Sequence, residues 1–144
     1  MADPGCPGAA LGASPDTEAV AAYCLAKQGC YADYPFGPQC LCIKVCGHIV
    51  AQLFVLRGQP SVTLKCAQED GVFWRLRYPA VVRRGHHCPP VQQPYWNTLP
   101  LNGEVEAADL RAMLDQAYQA VLDKLPSAQR RALLERATSS TLRE

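Results

Sequence analysis

The spacing of apolar and polar positions changes along the chain, and each change marks an element. Leu110, Met113, Leu114, Ala117, Tyr118, Val121, Leu122 and Leu125 recur at i, i+3 and i+4, the stripe of an amphipathic helix. That stripe needs an apolar surface to lie on. Upstream the period is two. Leu41, Ile43 and Val45 alternate with Cys40, Cys42, Lys44 and Cys46, which predicts a strand with one apolar face. Gly47-His48 reads as a tight turn and Ile49 to Leu56 as a second apolar strand, so the two form a hairpin. Arg57-Gly58-Gln59-Pro60 reads as a second turn. Ser61 to Lys65 follows as a third strand, with Val62 and Leu64 on one face.

The remaining segments fill in around this core. Ser14 and Pro15 have the chemistry of an N-cap and a first helical residue. Asp16 and Glu18 then sit where the helix dipole favours acids, and Gly29 ends the helix. Residues 30–38, with Tyr31, Tyr34, Pro35, Gly37 and Pro38, read as a loop. A short helix is predicted from Gln68 to Arg77, stopped by Pro79. Val81-Val82 and Tyr95 to Leu99 read as two further strands, separated by a run too rich in proline for a central strand. A last helix is predicted from Ala128 to Ala137, with Ser127 as its cap. Links of hairpin length imply an antiparallel sheet. The expected fold is therefore α+β: a two-layer sandwich whose five-stranded antiparallel sheet has helices packed on one face. Residues 1–13 are expected to be a disordered tail, 14–138 one domain, and 139–144 a frayed end.

Composition narrows the class. The 144 residues are 49% hydrophobic and 19% charged, the balance of a globular domain. No stretch approaches the ~20 apolar residues of a membrane span. The first fifteen residues have neither a basic nor an apolar region of the signal-peptide kind, so the expected compartment is the reducing cytoplasm. There the eight cysteines (Cys6, Cys24, Cys30, Cys40, Cys42, Cys46, Cys66 and Cys88) are expected as free thiols, most of them small buried hydrophobes.

Net charge is only +1, but it is unevenly spread. Residues 34–103 hold Lys44, Arg57, Lys65, Arg75, Arg77, Arg83 and Arg84 against Glu69 and Asp70, a net of +5. A basic stretch of this kind attracts polyanions even in a near-neutral protein. Catalytic signatures are missing. There is no G-x-S-x-G, H-E-x-x-H, Walker or dinucleotide-binding motif. His87 and Cys88 are neighbours, so on a strand they would point apart. Cys40, Cys42 and Cys46, with His48 at the same parity, lack the C-x2-C spacing of structural zinc sites. No enzyme activity, metal or cofactor is expected.

A family resemblance is carried by several runs. They are Ile43-Lys44-Val45 with Gly47, Val62-Thr63-Leu64-Lys65-Cys66, and Arg77-Tyr78-Pro79. Gly85-His86-His87, Tyr95-Trp96-Asn97-Thr98, Leu101-Asn102-Gly103, Ala117-Tyr118, Val121 and Lys124-Leu125-Pro126 complete the set. Over roughly residues 17–137 the chain resembles the MmcQ/YjbR family of small bacterial proteins. The resemblance implies a CyaY-like (frataxin-like) two-layer fold and DNA binding through a double wing of hairpins. The wings here would be the Gly47-His48 hairpin and the segment from Arg83 to Tyr95. Where many members carry His-x-Asn-Lys before the Trp, this chain has Cys88-Pro89-Pro90-Val91-Gln92-Gln93-Pro94, which leaves phosphate to Arg83 and Arg84. A frataxin-like iron ridge needs clustered carboxylates, and the first helix offers only Asp16 and Glu18.

DNA is thus the expected partner of a monomer or weak dimer. The expected contacts are Lys44, Arg57, Lys65, Arg75, Arg77, Arg83, Arg84, His86, Tyr95, Trp96 and Asn97. Two readings compete with this one. An open sheet face would also suit a protein-interaction module, and a pocket gathering His86, His87, Tyr95 and Trp96 would suit a small-ligand binder or enzyme.

Overall fold

Two tight turns organise the sheet. The computed structural model describes residues 11, 15–86 and 88–143, with side chains as far as Arg136. β2 (Leu41–Val45), β3 (His48–Leu56) and β4 (Gln59–Lys65) form a meander closed by two-residue turns. Both central residues of each turn have positive φ: Cys46 (50°) and Gly47 (81°), then Arg57 (52°) and Gly58 (79°). That is the type I′ geometry whose twist matches the flanking strands. The first turn is therefore displaced by one residue from Gly47-His48, and the second is confined to the first two residues of the expected Arg57-Gly58-Gln59-Pro60. His48, Gln59 and Pro60 belong to strands.

The sheet has six strands rather than five, in the order β1-β2-β3-β4-β6-β5, with every pair antiparallel. The additional strand is β1 (Cys30–Asp33), which lies in the expected loop and pairs with β2 along one edge. The other edge is β5, and it consists of Arg83–Arg84 rather than Val81-Val82. β6 runs from Trp96 to Pro100.

The helices lie on one face. α2 (Gln68–Arg77) has the expected bounds. α1 (Thr17–Leu25) starts later than expected and is capped by Asp16, whose carboxylate accepts from the Ala19 N–H at 2.9 Å. Ser14 and Cys6 lie outside the described residues. α3 (Ala107–Lys124) buries Leu110, Met113, Leu114, Ala117, Val121 and Leu122. Each such large side chain contributes about 1.5–3 kcal/mol. Facing them are Ile43, Ala51, Leu53, Val62, Leu64 and Leu99, all in one core. α4 starts at Ser127 itself and continues to Arg143, past the expected end at residue 137. Of the segment expected to be a disordered tail only Leu11 is described, and it is buried in the core. Among the described residues, no helix is long and apolar enough to cross a membrane.

The seven described cysteines are unpaired thiols. Burial pushes the Cys24 and Cys42 thiols up to about 12 and those of Cys30 and Cys66 to about 11. Cys46 is exposed at its turn. Iodoacetamide is expected to label Cys46 in the native protein within minutes, while Cys24 and Cys42 stay unlabelled until the chain is unfolded. Peptide mapping of a time course checks this. Early labelling of Cys24 would show that α1 does not hold it in the core.

Candidate nucleic-acid interface

Strand alternation decides which side chains are left for a partner. Ala51, Leu53, Val62, Leu64 and Leu99 point to the helices. Their neighbours Gln52, Phe54, Thr63, Thr98 and Trp96 point to the other face. That face is only partly bare. The segment after β5 folds back over it, held by two bonds. The Gly85 N–H donates to the Trp96 carbonyl at 2.8 Å, and the His86 N–H donates to Thr98 Oγ1 at 2.8 Å. Thr98 Oγ1 in turn lies 2.7 Å from Thr63 Oγ1. Glycine is required at position 85, because a Cβ there would meet Trp96 Cβ and Cys88 Sγ, each at 2.6 Å.

From the opposite side the β1–β2 link brings Phe36, Gln39 and Cys40 to the same face. Between the two walls lies a cleft of about 860 Å³, floored by Gln52 and Phe54 and bounded by His86, Cys88, Gln92 and Trp96. The Phe54 and His86 rings are stacked, with centroids 6.2 Å apart and planes 13° from parallel. Phe36 is 62% exposed. No Asp, Glu, Lys or Arg lines this cleft among the described residues.

Cations stand at both ends. At one end Arg57, Arg83 and Arg84 line a cavity of about 270 Å³ that shares His86 with the cleft. The carboxylate on its wall, Glu104, accepts from Asn102 Nδ2 at 2.7 Å. At the other end Lys65 and Lys124 line a cavity of about 190 Å³ that shares Trp96 with the cleft. Lys65 Nζ lies 4.9 Å from the centre of the Trp96 ring and 5.7 Å from that of Tyr95, and Lys124 Nζ lies 5.3 Å from that of Tyr95. Burial, and then the Lys124 ammonium, lower the Lys65 pKa.

The expected contact residues therefore divide. Arg57, Lys65, Arg83, Arg84, His86 and Trp96 surround the cleft and its ends. Tyr95 supports Lys65 and Lys124 from the 3₁₀ turn Gln93–Tyr95. The others serve the fold. Lys44 is paired with Asp33 at 2.7 Å. Arg77 is paired with Asp109 at 2.9 Å. Arg75 Nη1 donates to Asn97 Oδ1 at 2.6 Å, and Asn97 Nδ2 donates to the Gly71 carbonyl at 3.2 Å. Asn97 is 3% exposed, and its amide ties β6 to α2. His87 lies outside the described residues. The zinc-like parity of Cys40, Cys42, Cys46 and His48 is broken by a bulge at Ile43/Lys44 and by the turn at Cys46. Among the described residues no three His, Cys, Asp or Glu side chains converge on one point.

Sequence reasoning missed Phe36, Gln52, Phe54 and Lys124. Gln52 carries a usable signal: a polar residue inside an apolar strand, with Phe54 two positions on, marks the face turned from the core. Lys124 carries none, because a basic residue in a last helical turn is ordinary capping chemistry.

Comparison with known proteins agrees with this architecture. The chain is 26% identical over 113 residues to an uncharacterised protein, YjbR, of Escherichia coli K12, spanning 78% of this chain and 92% of that one. It is 27% identical over 92 residues to YbdF, also uncharacterised, of Escherichia coli O157:H7, spanning 64% and 72%. The crystal structure of Deinococcus radiodurans DR2400, a DUF419 domain, superposes with a TM-score of 0.74 at 24% identity, over 82% of this chain and 87% of that one. A Pseudomonas syringae protein structure superposes with a TM-score of 0.62 at 16% identity, over 73% and 97%. The YjbR family model matches residues 25–120, and the chain belongs to the YjbR family.

Proposed function

We propose that this protein binds DNA through the sheet face turned away from the helices. Phosphates would contact Arg57, Arg83 and Arg84 at one end and Lys65 and Lys124 at the other. The observation that carries this reading is how the cations are partnered. Among the described residues, Lys27, Lys44 and Arg77 form ion pairs with carboxylates away from the cleft. The five cations at its two ends form none with a described residue, and, unlike the helix arginines Arg111, Arg130, Arg131 and Arg136, which also lack a described ion pair, they flank one cleft. Cations gathered around the two ends of one cleft favour a polyanion.

The same reading makes it a binding protein rather than an enzyme. No His, Asp or Glu pairs with the Cys88 thiol on the cleft wall in any described hydrogen bond or ion pair, and its surroundings disfavour the thiolate. Burial raises Cys88, and burial together with Cys40 raises Cys42 to about 12. A thiol in that state is a poor nucleophile at neutral pH.

The test is fluorescence anisotropy with labelled DNA, single-stranded and duplex, across a salt series. With all five cations on phosphates, log affinity falls against log salt with a slope of about −3.5 for a single strand or −4.5 for a duplex. Absence of binding to either form at low salt would overturn the reading, as would a slope near zero.

A further inference from the structure

The two cationic ends would be enough to hold a DNA backbone, but they do not account for the cleft between them. Its walls combine two properties. One is a set of accessible rings, Phe36, Phe54, His86 and Trp96. The other is a set of uncharged amides, Gln39, Gln52 and Gln92. Rings offer stacking surfaces, and amides offer paired donors and acceptors. The neutral cleft lies between cations: it shares His86 with the arginine cavity and Trp96 with the lysine cavity.

We infer that the cleft takes unpaired bases, so that the ligand is a single-stranded nucleic acid lying across the sheet with bases inward and phosphates at the two cationic ends. The inference rests on the nucleic-acid reading above and narrows it. Bases within a duplex are stacked on one another, and their faces cannot reach a protein ring. Unpaired bases can, and rings with flanking cations are the general chemistry of single-strand binding. The scale agrees. Four residue steps along β4, from Ser61 at the arginine end to Lys65, span about 13 Å, the reach of a few nucleotides. A peptide adding to the sheet would instead need a free edge, whereas this cleft lies on the face.

The experiment compares three labelled probes of equal length, about ten nucleotides. These are oligo-dT, the same backbone with abasic sites, and a duplex. Oligo-dT is expected to bind about tenfold more tightly than the abasic strand and to quench Trp96 fluorescence, since each stacked base contributes about 1–3 kcal/mol, five- to 150-fold. Phe36→Ala, at a largely exposed position, is expected to lower dT affinity about fivefold and leave abasic binding unchanged. Trp96→Phe is expected to abolish the quench. Equal affinity for dT and abasic strands would show that only phosphates are held. That result, or tighter binding to the duplex, overturns the inference while the nucleic-acid reading stands. Failure of all three probes overturns both.

Discussion

Replacing Arg57, Arg83 and Arg84 together by Asn, Gln and Gln is expected to weaken DNA binding about a hundredfold while leaving the fold intact. The three line one cavity and form no ion pair with a described residue. A phosphate contact at about 1 kcal/mol each gives about 3 kcal/mol in total, roughly a hundredfold. Three lost contacts also flatten the single-strand salt slope by about two. Stability should move the other way. Arg57 has a φ of 52° in a type I′ turn, a position where Asn is favoured over Arg. The variant is therefore expected to melt no lower than the parent. Anisotropy across a salt series and a thermal melt check the two halves separately. A folded variant with an unchanged slope would mean that these arginines do not touch phosphate.

The second large effect is expected at a hydroxyl pair. Thr98→Val should destabilise the protein by about 3 kcal/mol, roughly 10 °C in melting temperature. Valine keeps the shape of threonine but strands two groups, the Thr63 hydroxyl and the His86 N–H, which both now meet Thr98 Oγ1. Thr63 is 0% exposed, so water cannot replace the lost partner. Thr63→Val should cost only about 1 kcal/mol, because Thr98 keeps its bond from His86. In the double variant the second substitution should be nearly free, a coupling of about 1 kcal/mol. Hydrogen exchange of the His86 amide should rise with Thr98→Val and not with Thr63→Val. Equal, additive costs would show that Thr98 does not anchor the segment over the cleft.

Much of the fold could be read from the chain because its periods are strong. β2 spaces Leu41, Ile43 and Val45 two apart, β3 is an apolar run bounded by turns, and α3 repeats its apolar stripe from Leu110 to Leu122. β1 was illegible for a physical reason. An edge strand with an exposed centre at Tyr31 and Ala32 has no buried face to impose alternation. The first turn is illegible because Cys46 adopts a positive φ, which residue preference assigns to Asn, Asp or Gly. The site was legible in charge but not in partnership. Nothing in the order of residues says that Arg77 meets Asp109 or that Asn97 turns inward to Arg75, since both are decided by packing between distant elements. The basic residues are visible in the sequence, and only the structure divides those paired within the fold from those at the cleft.

The short β5 strand has a further consequence for the molecule on its own. A sheet whose last strand exposes backbone N–H and C=O groups invites another copy to extend it. Here that border is only Arg83–Arg84, both exposed. A second molecule approaching edge to edge would have to bring like charges together. The arginine pair thus acts as a gatekeeper against self-association, and replacing it with apolar residues would expose the chain to aggregation by strand addition.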